Sequence, residues 1–273
     1  MVRLFGPLVG LFFAVALLWS FGNGAYTAIT EPAAPTAEHE FHLHPKEVHF
    51  ASDGAFGKFD KAQLQRGFQV YKEVCSTCHS LKHVAFRDLA ALGYSEAEVK
   101  AIAKEWGTKQ PTFDQKSGER AERDNIPSDY FPTVYYAGQG NPPDLSLITK
   151  ARHDGGAYVH SLLTGYQEQP AELLKKFPDA KTPDGLYYNP YFANLNLAMP
   201  APLSGDGQVT YSDGTKATVD QMATDVSAFL IWTAEPKLDK RKQTGWAVLG
   251  FLLVATVLAY LAKKNVWADK KGE

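Results

Sequence analysis

Cys75-Ser76-Thr77-Cys78-His79 contains both cysteines of the 273-residue chain, and the reading of this run decides the rest of the fold. Cys-x-x-Cys-His is the attachment signature of c-type haem. Residues three apart at the end of a helix share one face, so the two thiols can form thioether bonds to vinyl groups along a porphyrin edge. The adjacent histidine then points at the iron as proximal ligand. Residues 59–74 fit a helix leading into the motif: Leu64, Phe68 and Tyr71 recur at four- and three-residue steps, and Asp60 suits the N-cap. A thioredoxin-like thiol–disulfide site would have a strand before its Cys-x-x-Cys and a helix opening at it, the reverse of this order. A zinc site wants a second pair of ligands, and the chain has no third cysteine. The expectation is one covalently bound haem c, held by Cys75, Cys78 and His79.

The other axial position decides whether the iron does chemistry on a bound molecule or only carries electrons. Met199, Met222, His83, His153 and His160 are the available side chains. Met222 falls on the apolar stripe of a helix predicted over 218–232, and His83 follows His79 too closely to swing across the ring. Met199 lies in Asn196-Leu197-Ala198-Met199-Pro200-Ala201-Pro202, where prolines stiffen a loop that has no helix or strand to serve. Rigid loops are how a protein fixes a thioether at an iron. His/Met ligation raises the reduction potential, and with both axial positions filled no substrate reaches the metal. The expected metal ligands are therefore His79 and Met199, with electron passage as the only chemistry and no catalytic residue.

Hydrophobic residues make up 45% of the chain and charged residues 21%, which excludes a disordered or collagen-like polypeptide. Two cysteines exclude a disulfide-stapled scaffold, and a formal charge of −2 offers no basic face for nucleic acid. The charge is unevenly spread. Residues 29–236 carry 19 Lys/Arg against 27 Asp/Glu, and residues 237–273 carry 8 against 3, so an acidic body sits on a basic tail. Ser95 and Glu98 make a capping box ahead of a short helix over 95–106, and 157–163 reads as another short helix. Residues 108–143 and 182–203 are rich in Pro, Gly and polar side chains and read mostly as loop. Residues 209–211 and 216–218, around the turn Ser212-Asp213-Gly214, suggest a small hairpin. The 218–232 helix places Val219, Met222, Val226, Phe229 and Leu230 on one face. A body of about 200 residues with so much loop is organised around something besides its own side chains, which invites a cofactor. The expected fold class is mainly α: a cytochrome c-like haem domain with long loops, the haem wedged between the 60–74 and 218–232 helices, and a C-terminal transmembrane helix as anchor.

Residues 243–262 hold no charge and are rich in Leu, Val and Ala; as a helix they extend about 30 Å, the hydrocarbon thickness of a bilayer. Trp246, Tyr260 and Trp267 lie near the ends, where amphipathic rings favour the interface. Lys240, Arg241 and Lys242 before the run, and Lys263 and Lys264 after it, argue against a buried core helix. At the other end, nothing from Leu4 to Thr30 is charged. Residues 8–21 look like the apolar core of a secretory signal, and Gly22, Gly24, Ala25 and Ala28 come after it without a clean small-x-small cleavage site. A cleaved signal and a retained second anchor fit equally. Basic residues flank the C-terminal span evenly, so loop charge gives no orientation, but either N-terminal reading exports the acidic body. The expected organisation is an export segment at 1–28 and a linker at 29–50 containing Pro32, Pro35 and Pro45, with His39, His42, His44 and His49 as solvated coil. A haem domain at 51–236 then lies on the periplasmic side of a bacterial inner membrane, succeeded by a transmembrane helix at 243–262 and a cytoplasmic tail at 263–273.

Further runs, in their order and spacing, resemble the cytochrome c1 family. Phe56-Gly57-Lys58-Phe59-Asp60, Leu64-Gln65-Arg66-Gly67-Phe68-Gln69-Val70-Tyr71-Lys72-Glu73-Val74-Cys75 and His79-Ser80-Leu81 carry the resemblance around the motif. Asp129-Tyr130-Phe131-Pro132, Pro142-Pro143-Asp144-Leu145-Ser146, Ala151-Arg152-His153 and Ser161-Leu162-Leu163-Thr164-Gly165-Tyr166 continue it, and Tyr188-Asn189-Pro190-Tyr191-Phe192, Met199-Pro200 and Ala234-Glu235-Pro236 complete it. The resemblance implies the haem subunit of the cytochrome bc1 complex, ubiquinol–cytochrome c oxidoreductase, which takes single electrons from the Rieske iron–sulfur protein and passes them to a soluble c-type cytochrome. It implies cytochrome b and the Rieske protein as partners in a dimeric membrane complex. A basic soluble cytochrome is the implied acceptor, and the acidic body would steer it. By the same resemblance Cys75 and Cys78 carry the thioethers, His79 and Met199 bind the iron, Arg152 pairs with a haem propionate and Tyr158 lines the pocket; a guanidinium suits a carboxylate through bidentate hydrogen bonds. The stretch from Ala137 to Asn141 is shorter than in many members of the family. Two other readings share these features. A tethered cytochrome c shuttle, or the haem subunit of a terminal oxidase, would work without cytochrome b. A membrane-anchored thiol–disulfide enzyme would lack a haem absorption band.

Overall fold

Caps, apolar period and chain length set the elements, which run in order along the chain. The computed structural model describes residues 2–31, 34–138, 140–268 and Lys270; Pro32 of the expected linker and Lys271 of the basic tail lie outside the described residues. Helix α1 (Val2–Thr30) is apolar and, apart from half-buried Ala25, exposed from Leu4 onward. Thr36 caps the short α2 (Ala37–Phe41), and the chain then lies against the body: Leu43 N–H donates to the Pro190 carbonyl (2.8 Å) and Lys46 N–H to Ser161 Oγ (2.8 Å). Composition reads this stretch as a linker, yet Ala37 is buried beside Leu173, Tyr188 and Leu195.

Asp60 opens α3 (Lys61–Val70) by accepting from the Ala62 and Gln63 N–H groups at 2.9 and 3.4 Å. The helix passes directly into a π-helical turn, Tyr71–Cys75. A 3₁₀ turn (Phe86–Leu92) comes next, ended by Gly93 at φ 104°, and then α4 (Glu96–Lys104), opened by the Ser95–Glu98 capping box. Within 108–143, expected to be loop, β1 (Gln110–Phe113) pairs antiparallel with β2 (Arg120–Arg123). Both strands are largely exposed, so no apolar alternation marks them; the turn between them is made by Asp114 accepting from Lys116 N–H (2.8 Å). Short helices α5 (Ile148–Ala151), α6 (Gly155–Leu163) and α7 (Ala171–Lys176) lead to a minimal antiparallel pair, β3 (Tyr187–Tyr188) with β4 (Asn196–Leu197). The hairpin expected around Ser212-Asp213-Gly214 does not form. Val209, Tyr211 and Ala217 turn into the core, leaving one backbone link, Gly207 N–H to the Ala217 carbonyl (2.7 Å). Thr218 caps α8 (Val219–Ala234), and α9 (Leu238–Val266) completes a mainly helical fold. Both α1 and α9 are long and apolar enough to cross a membrane.

The core sits where α3 meets α8. A Cβ added at Gly67 would lie 2.0 Å from the Asp225 carbonyl oxygen and 2.7 Å from Phe229 Cβ, so only glycine lets the two backbones approach this closely. Phe68, Tyr71, Trp106, Phe131 and Phe229 form an aromatic cluster around the crossing. Arg66 fastens it: Nε and Nη2 donate to the fully buried Asp225 carboxylate at 2.9 and 3.3 Å, and Nη1 to Asp213 at 2.7 Å. Gln221 adds a donor to Asp225 at 2.9 Å, so the buried charge is paired and hydrogen-bonded. This overturns the expectation of a haem wedged between these two helices. Their backbones are in contact, and a flat macrocycle cannot be inserted.

Candidate functional site

Because α3 ends in a wider turn, its last carbonyls reach further along the chain. Ser76 N–H donates to the Tyr71 carbonyl (2.8 Å), and the Cys75 carbonyl accepts from both Cys78 N–H (3.2 Å) and His79 N–H (2.9 Å). Such π turns recur at functional sites. The result is one tight turn carrying two half-buried free thiols and the His79 imidazole. Tyr71, buried beneath it, donates its hydroxyl to the His79 carbonyl at 2.9 Å. Burial, with Cys78 adding, pushes the Cys75 thiol up to about 12, the opposite of what a nucleophilic thiolate requires.

His79 Nδ1 lies 2.8 Å from the Pro143 carbonyl oxygen. A carbonyl only accepts, so Nδ1 carries the proton and Nε2 keeps a free lone pair. Burial lowers the His79 pKa against the opposing pull of that hydrogen bond and of Asp144, which favours the neutral, metal-binding imidazole. The Pro143 segment is itself tied to the motif: Lys82 N–H donates to Asp144 (2.8 Å), Leu145 N–H to the Ser80 carbonyl (2.9 Å) and His83 N–H to Ser146 Oγ (3.1 Å).

Met199 is half-buried in the segment just after β4. The turn before it contains Leu195 at φ 64°, a strained conformation for a branched side chain. Leu195 is held there by its N–H on the Phe192 carbonyl and its carbonyl on Asn189 N–H, both 2.8 Å. Tyr166 donates its hydroxyl to the Met199 carbonyl at 3.0 Å. On the other side, a Cβ added at Gly140 would come within 3.2 Å of Ala198 Cβ, so the loop leading to Pro143 closes on the loop carrying Met199. Tyr158 neighbours Tyr166, and burial raises both hydroxyl pKa values. Arg152 lies beside Tyr158 and partly offsets that rise. The Arg152 guanidinium is exposed, donates to the Ala151 carbonyl (3.1 Å) and has no carboxylate partner among the described residues.

Of the six residues singled out in the sequence, Cys75 closes the π-helical turn, Cys78, His79, Arg152 and Met199 lie in turns or loops, and Tyr158 lies in α6; no hydrogen bond joins the His79 and Met199 side chains. Among the competing ligands, Met222 is fully buried in the α8 core, and His160 Nε2 is engaged by Asp220 at 3.0 Å. Sequence reasoning missed the parts played by Tyr71, Gly140, Pro143 and Tyr166. Pro143 acts through its backbone carbonyl, and a carbonyl leaves no trace in residue type.

A helix running into a Cys-x-x-Cys-His turn, a neutral histidine and an apolar C-terminal helix describe a membrane-anchored haem protein. The chain belongs to the cytochrome c1 family, whose model, described as the Cytochrome C1 family, matches residues 50–270. It is 42% identical over 256 residues to cytochrome c1 of Rhodospirillum rubrum, covering 88% of this chain and 92% of that one. To the mitochondrial cytochrome c1 heme protein of Saccharomyces cerevisiae it is 41% identical over 252 residues, 89% and 78% of the two chains. A protein named cytochrome b/c1 from Bradyrhizobium diazoefficiens is 46% identical over 239 residues, 79% of this chain; that protein is longer, and the match spans 34% of it. Membership implies a haem cofactor, and the residues present fit one. Two thiols and an imidazole with a free lone pair share one turn, and the Met199 thioether is half-buried on a neighbouring loop. Half-buried apolar residues from the same segments (Val74, Leu145, Ile148, Tyr158 and Leu163) border the core as a flat apolar cofactor requires.

Proposed function

We propose that the chain is the haem subunit of a quinol–cytochrome c oxidoreductase (bc1) complex, passing single electrons from the Rieske iron–sulfur protein to a soluble c-type cytochrome. The observation that carries this reading is the 2.8 Å contact of His79 Nδ1 with the Pro143 carbonyl, which leaves Nε2 as a lone-pair donor in the turn that holds both thiols. Cys75 and Cys78 hold haem c by thioether bonds, His79 and Met199 are its metal ligands, Arg152 meets a propionate, and Tyr158 lines the pocket. Bound there, haem c would supply a one-electron iron couple whose potential a thioether ligand raises. The work of the chain itself is positioning. Tyr71 and Pro143 hold His79 by its carbonyl and its ring, while Tyr166 and the Leu195 turn hold the Met199 loop. The high thiol pKa of Cys75 counts against the thiol–disulfide alternative.

The partners are cytochrome b and the Rieske protein in a dimeric membrane complex; a relative in Candida albicans, 41% identical over 253 residues, bears the name cytochrome b-c1 complex catalytic subunit. The body lies on the periplasmic side of a bacterial inner membrane, α9 spans it, and the 1–28 segment is an export signal or second anchor. The acidic body steers a basic soluble cytochrome to its docking surface. Purification in mild detergent, with a reduced-minus-oxidised spectrum and identification of co-purifying subunits, tests the reading. A haem c band with cytochrome b and a Rieske protein is expected; the band without those subunits would favour the tethered shuttle.

A further inference from the structure

The loop between Phe50 and Phe59 takes no part in the haem site, yet it is fastened throughout. Phe50 N–H donates to Asp53 Oδ2 (2.8 Å), Asp53 N–H to the Phe50 carbonyl (2.9 Å) and Lys58 N–H to the Ala51 carbonyl (2.9 Å). A Cβ added at Gly57 would lie 1.9 Å from the Asp53 carbonyl oxygen, so the loop closes only with glycine at that position. The start of α9 holds it from below. Lys242 Nζ donates to the Ser52 and Gly57 carbonyls at 2.6 and 3.2 Å, and Phe59 N–H donates to Asp239 Oδ1 at 3.2 Å. What this bracing presents is Phe56, 80% exposed and stacked on Trp246 of α9, with ring centroids 5.0 Å apart and planes 8° from parallel.

The position of that stack along α9 identifies its surroundings. Lys242 is the last charge before the uncharged run, and Trp246 is four residues further, about 6 Å along a helix. With α9 spanning the bilayer, a reading on which this inference rests, that is the level where headgroups give way to acyl chains and aromatic rings concentrate. Phe56, in contact with Trp246, shares its depth. Charge points the same way. Beside the loop a cleft of about 290 Å³ is lined by Phe59, Leu64 and Trp232 and by three lysines, Lys61, Lys237 and Lys240, against one acidic residue, Asp239, whose Oδ1 accepts from Phe59 N–H. Its three lysines are exposed and have no ion-pair partner among the described residues.

We propose that residues 51–58 form a second membrane contact: the loop enters the interfacial layer of an anionic phospholipid bilayer beside α9, with Phe56 on Trp246 as its wedge, and sets the tilt of the body on its anchor. The test uses the full chain with its cofactor, reconstituted into vesicles of phosphatidylcholine and phosphatidylglycerol. A nitroxide is attached at Ala55→Cys, which keeps the aromatic stack, at Lys116→Cys in the exposed β1–β2 turn, or at Val254→Cys within α9; unsubstituted chain corrects for labelling at Cys75 and Cys78. Collision with oxygen, which concentrates in lipid, is compared with collision with a water-soluble nickel chelate. The oxygen-to-nickel ratio at position 55 is expected to be several-fold above that at 116 and close to that at 254. Adding Phe56→Ala is expected to return it towards the value at 116. A ratio at 55 equal to that at 116 would overturn the proposal by leaving the loop in water. Protection of position 55 from both reagents would overturn it by placing a protein there.

Discussion

Where α3 crosses α8, a glycine, a set of aromatic rings and the ion pair of Arg66 with buried Asp225 pack together, whereas the segments around Cys75, His79 and Met199 are tied by separate hydrogen bonds to backbone carbonyls and to the Asp144 and Ser146 side chains. The first region draws its stability from burial of apolar surface, which is large and undirected. The second has half-buried side chains and a few directional contacts that fix the His79 ring and the backbone of the Met199 loop. Helices therefore supply the support of this molecule and the turns beyond α3 carry the proposed site, with the π-helical turn Tyr71–Cys75 as the joint between the two.

The contrast breaks most visibly at Gly67. Gly67→Val forces the helices apart, and a loss of more than about 4 kcal/mol is expected, seen as failure of the folded chain to accumulate or to take up haem. Persistence of a folded, coloured protein would mean that the loops, not the crossing, hold the fold. Next comes Arg66→Ala, which leaves the buried Asp225 carboxylate without its ion pair; about 3 kcal/mol should be lost in denaturant unfolding, with the haem spectrum of the surviving folded protein unchanged. The site loops respond differently. Met199→Leu is a volume-conserving change whose effect on unfolding should stay under about 1.5 kcal/mol. Redox titration should nonetheless show a lowered potential, because axial ligands set potentials over about 0.8 V among haem proteins. An unmoved potential would take Met199 off the iron. The smallest effect is expected at the surface: raising ionic strength should slow reduction of a basic soluble cytochrome several-fold in stopped-flow mixing. A salt-insensitive rate would detach the acidic body from docking.

The same contrast explains how much could be read from the sequence. Elements that announce themselves by period and cap were legible: Asp60 before α3, Ser95 with Glu98 before α4, Thr218 before α8. So was the helix that runs into the Cys75–His79 turn, because its apolar period and the cysteine spacing are carried by residue types. Gly67 stood in plain view, but a glycine between Arg66 and Phe68 does not say which helix it lets approach, and the haem was accordingly expected in a slot that the Asp225 backbone fills. β1 alternates between half-buried and exposed positions, but the half-buried ones are Gln110 and Thr112, so no apolar alternation marks the strand; apolar residues at 209, 211 and 217 looked like hairpin positions while serving the core. The Pro143 carbonyl and the Tyr71 hydroxyl act on backbone atoms or through them, and such contacts have no signature before the chain is folded.

Covalent haem on the Cys75–Cys78 turn is the claim on which the functional reading depends, and the intact mass of the detergent-purified, acid-denatured chain tests it most directly. The expected result is one species heavier than the polypeptide by a single haem, with the porphyrin retained after denaturation and lost from the Cys75→Ala, Cys78→Ala double variant. A species with the mass of the bare polypeptide, or a porphyrin that separates from the chain in acid, would contradict it.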